Sequence, residues 1–316
     1  MIMKFILLIF GLILIVKASD MFVDSASSLA TNLKMPKILI ALTIASFGTC
    51  TPELAISFKS VFSGSGDVAV ANVLGSNIIN ILLIIGISSF IYPIKVKSET
   101  VKKQLPILVV ITSFFSISVI RNLLLNNRYI LVWTDALMLL FIFILFMFYI
   151  ISIAKIKKTT ATVEKPKYGL KKSIVLTIIC IIIIIFSSDL VVDNATYIAQ
   201  FFGISEKIIT MTVIVIGTSL PELTTTIMAS KKKEFDIAIG NIIGTNIFNL
   251  GIVLGFPILL NNGLISNSFN IIDALVVESA AFILYLFAKD DRKLSRREGF
   301  LMLILFILYY IYMFLN

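Results

Sequence analysis

Ten apolar runs follow one another along the chain, at about 3–30, 36–60, 68–92, 103–121, 129–154, 172–202, 206–230, 236–261, 268–288 and 297–315. Most are near the ~20 residues that an α-helix needs to cross a bilayer, and the longer first and sixth require tilt or an interfacial end. Turn and charge signals separate them: Ser63-Gly64-Ser65-Gly66, Asn126-Asn127-Arg128, Lys231-Lys232-Lys233 and Asn261-Asn262-Gly263. The longer hydrophilic link at 155–171 is too short to be a domain. The pattern predicts an all-α polytopic membrane protein with ten transmembrane helices. Met1 to Asp20 has the outline of a signal peptide, but a similar stretch at 173–187 leads into Ser188-Asp189, so both read as transmembrane helices.

That similarity belongs to a longer repeat: 222 − 53, 189 − 20, 241 − 72, 249 − 80 and 255 − 86 all equal 169. Ser19–Gly86 aligns with Ser188–Gly255 without a gap, about 20 of 68 positions being identical. Five helices per half is an odd number, so the second half enters the membrane from the opposite side. The expected architecture is two inverted five-helix repeats, 1–154 and 172–316, joined by a linker at 155–171, with discontinuous helices meeting at the midplane.

Composition agrees with this picture: 59% of the 316 residues are hydrophobic and 14% charged. The formal net charge of +9 sits in short clusters between apolar runs, which argues for lipid headgroups and topology and against nucleic acid. Loops after the odd-numbered helices hold about 21 of the lysines and arginines and the opposite side about 5, so the linker is expected in the cytoplasm and both termini outside the cell membrane. Histidine is absent, leaving oxygen ligands as the natural choice for any metal. Cys50 and Cys180 lie in apolar runs at non-equivalent positions and read as free thiols.

The repeated halves carry repeated chemistry. Gly48-Thr49-Cys50-Thr51-Pro52-Glu53 matches Gly217-Thr218-Ser219-Leu220-Pro221-Glu222. Pro52 and Pro221 free the carbonyls of Gly48 and Gly217, and unwinding one residue further exposes those of Thr49 and Thr218. Glu53 and Glu222 cost roughly 2.5–3.5 kcal/mol each at membrane depth, a cost that points to an ion pathway. Freed carbonyls beside carboxylates suit a hard cation. A second pair of motifs, 71–80 and 240–249, places Asn72, Ser76 and Asn80, and likewise Asn241, Thr245 and Asn249, on one helical stripe. That stripe must face the bundle interior. Asn80 and Asn249 are favoured for the site, whereas Asn72, Asn77, Asn241 and Asn246 read first as ties between helices. Ala71 with Gly75, and Gly240 with Gly244, are small-residue pairs that admit a close neighbouring backbone.

These four linked motifs in duplicated halves resemble the alpha repeats of the sodium/calcium exchangers, in the cation/calcium antiporter superfamily. The resemblance covers nearly the whole chain and implies a ten-helix antiporter that is not an enzyme, has no cofactor and moves Ca2+ and Na+. It implies that Glu53 and Glu222 are the central carboxylates, with the Thr49 and Thr218 carbonyls completing the calcium site. Ser219, Ser76 and Thr245 match hydroxyls that ligate sodium, the residues at Ser46 and Val215 match carbonyl donors, and Asn80 and Asn249 match the other polar positions of the centre. Cys50 stands where a serine is common, and Asn249 where some relatives have aspartate. A calcium/proton antiporter of the same fold, a cation channel and, least favoured, an intramembrane hydrolase are the alternatives. No protein partner is implied.

The remaining ionisable groups read as structural. Asp20, Asp24, Asp189 and Asp193 repeat at the same offset and suit capping or pairing with lysines, Lys17 being the expected partner of Asp20. Asp67 and Asp236 mark helix starts. Asp135 and Glu278 read as packed or interfacial carboxyls, and Trp133 with Tyr129 as an interfacial belt.

Overall fold

In lipid, every backbone N–H and C=O must find its partner within the segment, and runs of Ile, Leu, Val and Phe satisfy that requirement as helices. The structure, a computed structural model, describes residues 2–125, 130–156, 165–203, 215–266 and 269–315. Tyr129, expected in the aromatic belt, lies outside them. The helices are α1 (Ile2–Asn32), α2 (Lys37–Thr49), α3 (Thr51–Phe62), α4 (Gly66–Ile91), α5 (Thr100–Leu124), α6 (Trp133–Ile156) and α7 (Leu170–Phe201). They continue with α8 (Val215–Thr218), α9 (Leu220–Lys231), α10 (Phe235–Leu260), α11 (Ile271–Lys289) and α12 (Arg296–Leu315). Seven of these are long and apolar enough to cross a membrane, and an eighth span is the pair α2 and α3, bent by 50° at Cys50. The protein is therefore an all-helical, multi-pass membrane protein.

The centre of the bundle is α4 and α10, both largely buried along their length. They hold the polar stripes, and each contains a π-helical stretch, Ile79–Ile85 in α4 and Asn249–Leu254 in α10, that the sequence pattern did not reveal. Each widened turn begins at or just before a stripe asparagine, Asn80 or Asn249. Around this centre the halves interlock. α6 packs on the second half of α10 and α12 on the second half of α4, while α5 lies along α11. α1 and α7 run side by side at the periphery, their outer faces lined by exposed Ile, Leu and Phe.

Two short strand pairs, also unanticipated, interlock the same way. Ile94–Lys95 (β1) pairs with Lys293–Leu294 (β4), and Leu131–Val132 (β2) with Gly263–Leu264 (β3), both antiparallel. β1 and β3 are equivalent positions of the repeat (263 − 94 = 169), so each half lends one strand to the other. The turns after α3 and α9 correspond as well. Gly64 and Lys233 (233 − 64 = 169) both have positive φ, 75° and 61°, and in each turn the following N–H reaches back to close the helix, Ser65 to Ser60 and Glu234 to Ala229, both at 2.8 Å.

Close approach at the small residues has a measurable form. A Cβ at Gly240 would lie 2.8 Å from Ala41 Cβ, and one at Gly244 would lie 2.1 Å from Ser46 Oγ and 2.9 Å from Leu42 Cα. The equivalent Gly75 would meet Val215 at 2.8 Å. α10 thus touches the backbone of α2 immediately before the break. Gly244→Val forces that contact apart and is expected to destabilise the fold by roughly 1–3 kcal/mol, the usual penalty of overpacking. A lowered thermal midpoint in detergent relative to the wild type, with Gly244→Ala, which adds only the Cβ, falling between the two, checks it.

Candidate cation site

The two acidic motifs form the same local structure. α2 ends at Thr49 and α8 at Thr218, and the next residues, Cys50 (φ −85°, ψ 10°) and Ser219 (φ −87°, ψ 6°), leave the helical path with nearly identical dihedrals. A proline in the first turn then starts a new helix in each case. The last carbonyls of α2 and α8 consequently have no further helical N–H to meet. Thr49 and Thr218 turn their hydroxyls onto the carbonyls of Ser46 and Val215, at 3.4 and 3.1 Å, so their own carbonyls end the segments. Of the two carbonyls freed by proline, that of Gly217 accepts from Ser188 Oγ at 2.8 Å.

Glu53 and Glu222 follow in the first turns of α3 and α9, where the helix dipole favours negative charge. Both are fully buried, and the charge of Glu222 acts directly on Glu53. Ser76 Oγ donates to Glu53 Oε1 at 3.4 Å and lies 3.2 Å from Ser219 Oγ, so a hydroxyl bridge joins the Glu53 carboxylate to the turn that carries Glu222. The other three carboxylate oxygens, Glu53 Oε2 and both of Glu222, have no hydrogen bond of ordinary length among the described residues, the Thr49 hydroxyl lying beside the Glu222 carboxylate.

The polar stripes of α4 and α10 are buried throughout, and Ser76 of the first reaches the Glu53 carboxylate. Asn72 Nδ2 donates to the Glu53 backbone carbonyl and to Ser57 Oγ, both at 3.0 Å, and Asn241 Nδ2 donates to Thr225 Oγ1 at 3.1 Å. These two asparagines tie helices together, as expected. Asn80 and Asn249 are held by a reciprocal exchange: Asn80 Nδ2 donates to Asn246 Oδ1 at 2.9 Å, and Asn249 Nδ2 to Asn77 Oδ1 at 3.0 Å. With the amide nitrogens committed, the oxygens Asn80 Oδ1 and Asn249 Oδ1 are left without a partner among the described residues, as are Thr245 Oγ1 and Asn241 Oδ1. Asn77 and Asn246 are therefore positioning residues for the two central amides. The chain spacing that placed them one residue after Ser76 and Thr245 gave no signal of this role, because the bonds connect opposite halves.

A buried oxygen with no donor is unusual in a native structure and calls for a specific cause. Here, among the described residues, seven such oxygens come from six residues of the two repeated motifs, Asn241 Oδ1 included, and all can accept or coordinate. Oxygen atoms of this kind are the ligands that hard cations take. Among the described residues, no three His, Cys, Asp or Glu side chains form a metal-holding group, so the negative charge of the site is that of two carboxylates. Cys50 is buried beside both glutamates and turns its thiol toward the Phe47 carbonyl at 3.6 Å. Ser46 uses its hydroxyl on the Ala41 and Asn241 carbonyls, at 2.7 and 3.0 Å, and so fixes α2 to α10.

The peripheral charges are structural, with one correction. Lys17 is exposed, and the partner of Asp20 is Lys232, at 3.0 Å, from the far end of α9. Lys232 also pairs with Asp24 at 2.7 Å, Lys167 joins Asp24, and Lys37 pairs with Glu234 at 2.8 Å. The aspartate of α1 sits on the helix face turned toward α9, so tertiary packing selects the distant lysine over the neighbour in sequence. Asp189 and Asp193 make no ion pair among the described residues. Asp135 is a buried carboxylate that accepts from Arg121, Asn122 and the Val132 N–H, and Glu278 accepts from Ser113 at 2.6 Å.

An all-helical membrane bundle with two buried carboxylates at paired helix breaks is the form of an ion transporter. The chain belongs to the sodium/calcium exchanger protein family, whose sequence profile matches residues 3–152 and 172–315, and it is accordingly a cation/calcium antiporter. It is 39% identical over 266 residues to inner membrane protein YrbG of Escherichia coli, covering 81% of this chain and 80% of that one. It is 26% identical to the sodium/calcium exchanger MaX1 of Methanosarcina acetivorans over 98% of both chains. Its fold matches a structure of the sodium-calcium exchanger NCX_Mj, soaked with Na+ and Sr2+, with a TM-score of 0.83 and 30% identity over 98% of both chains.

The reciprocal amide exchange yields a prediction that is symmetric between the halves. Asn77→Leu strips the acceptor from Asn249, and Asn246→Leu strips it from Asn80, each leaving a buried amide N–H unpaired at a cost of about 1–3 kcal/mol. Thermal unfolding in detergent should show similar losses for the two variants. A loss confined to one of them would contradict the reciprocal arrangement.

Proposed function

We propose that the protein exchanges Ca2+ for Na+ across the cell membrane by alternating access, with Glu53 and Glu222 as the shared ligands. The observation that carries this reading is the set of buried oxygens without donors among the described residues, contributed by Glu53, Glu222, Asn80, Asn241, Asn249 and Thr245. Calcium takes six to eight oxygen ligands, and the Thr49 and Thr218 carbonyls at the helix breaks would extend the set. Ser76, Ser219 and Thr245 hydroxyls, with the carbonyls at Ser46 and Val215, would serve sodium. Cys50 lies among them as the one position without a hydroxyl oxygen. The relative NCX_Mj, soaked with Na+ and Ca2+, supports these ions as the cargo.

The topology that goes with this reading is ten helices in two inverted repeats, 1–154 and 172–316, around the linker 155–171. Seven spans, the bent α2–α3 pair, α12 and the segment at 206–230, of which α8 and part of α9 are described, make ten. The strand exchange between halves and the reciprocal asparagine bonds are what a pseudo-two-fold axis would produce. Lysine and arginine in the linker then place it in the cytoplasm and both termini outside.

The exchange follows from charge. Two buried carboxylates with no cation would leave a double charge uncompensated in a low-dielectric interior, a state that is expensive by several kcal/mol per ion. One Ca2+ or two monovalent ions cancels it. Only the compensated site passes the dry barrier as α1 and α7 slide over the centre, so an empty carrier stays where it is and leak is suppressed. Protons can cancel the same charge, and Cys50 in place of a hydroxyl favours that coupling as the second reading.

Calcium-45 uptake into proteoliposomes under an imposed sodium gradient, at fixed pH with a protonophore present, separates the two couplings. Uptake should follow the sodium gradient, and Glu53→Gln and Glu222→Gln should each reduce it to the level of protein-free liposomes. Uptake that survives either substitution would remove the carboxylates from the mechanism, and uptake that needs a proton gradient would select the second reading.

A further inference from the structure

Two hydroxyl positions flank the carboxylates and are equivalent under the repeat: Ser76 with Ser219, and Thr245 with Cys50 (245 − 76 = 169; 219 − 50 = 169). Their structures differ. Ser76 and Ser219 form a bridge at 3.2 Å, and Ser76 reaches Glu53 Oε1 at 3.4 Å, so that side presents two hydroxyl oxygens and a carboxylate oxygen together. On the other side Thr245 is fully buried and its Oγ1 has no hydrogen-bond partner among the described residues. The atom that would answer Ser219 is the Cys50 sulfur, which is turned to the Phe47 carbonyl at 3.6 Å although the residue lies beside both glutamates. An alkali cation is hard and takes oxygen, and a neutral thiol is a poor ligand for it.

We propose that Cys50 deletes one of two repeat-related monovalent-cation positions, so that this chain exchanges one divalent cation for two monovalent cations without moving net charge. This deepens the exchanger reading above and rests on it. The count follows from the groups present. The central position among Glu53, Glu222, Asn80 and Asn249 and the position at Ser76 and Ser219 hold one monovalent ion each. Two single charges match the two carboxylates, as one divalent ion does, and Asn249 adds no third charge. Cys50 is then the residue that sets the coupling ratio. Restoring a hydroxyl there should open a third position on the Thr245 side, carrying a surplus positive charge.

The test is calcium-45 flux in proteoliposomes of the full-length protein, read as a function of sodium concentration and of a potassium–valinomycin potential of about 100 mV, across which each surplus charge is worth ~2.3 kcal/mol. Wild-type flux should rise with about the second power of sodium and change by less than about twofold with voltage. Cys50→Ser should steepen the sodium dependence by about one ion and make the rate voltage-dependent, while Cys50→Ala, which adds no oxygen, should keep the wild-type slope. Wild-type flux that already follows the third power of sodium or the voltage overturns the proposal and leaves the exchanger reading standing, as does Cys50→Ser with an unchanged slope. Flux that survives Glu53→Gln overturns both.

Discussion

Two buried glutamates whose charges act on each other, with no cationic residue to pair them among the described residues, are the constraint that the rest of this structure answers. A protein that needed only stability would replace them with apolar side chains, because removing charge from a low-dielectric interior is neutral or favourable. On the proposed exchanger reading, the compensating charge arrives from outside as the transported cation. Around them the chain spends its polar residues sparingly. Among the described residues Ser76 donates to Glu53, Glu222 has only the Thr49 hydroxyl beside it, and the amide oxygens of Asn80 and Asn249 have no partner while their nitrogens are bound elsewhere. The arrangement withholds hydrogen bonds that would compete with an ion.

Backbone geometry makes such a centre compatible with a membrane. Breaking α2 at Cys50 and separating α8 from α9 at Ser219 leaves helix ends in the bundle interior, tolerable only because they face protein and not lipid. Glycines at 240 and 244 let α10 lie against the backbone of α2, and the π-helical stretches of α4 and α10 rotate the following residues relative to a regular helix. π-turns recur at functional sites for this reason. Outside the centre, the ion pairs of Asp20, Asp24, Lys167 and Lys232 tie α1 to α9 and to the link before α7, while the equivalent Asp189 and Asp193 carry none among the described residues. The halves share a plan without being copies.

Much of this was legible in the sequence because it is written locally. Proline two residues after a helix break, a carboxylate one residue on, and asparagines and hydroxyls spaced by four all follow from the chemistry of one segment, and the offset of 169 doubled each signal. What escaped was decided between segments. Asn77 and Asn246 looked like generic ties, and their role of holding Asn249 and Asn80 depends on contacts between residues 166 and 172 positions apart. The two-residue strands carry no β pattern of their own and exist because the other half supplies the partner. Lys17 was the nearest base to Asp20 along the chain, but the fold brings Lys232 closer. The π-helical stretches have no signature in composition, since the same Ile, Leu and Asn residues form ordinary helix elsewhere.

The central claim is that one divalent cation is held by both carboxylates at once. Anomalous diffraction from crystals soaked with Sr2+ tests it most directly. The account predicts a single strong peak between α3 and α9, within about 2.3–2.6 Å of oxygen atoms from Glu53 and Glu222 alike. A peak bound to one glutamate with the other turned away, or located outside the α4–α10 centre, would contradict it.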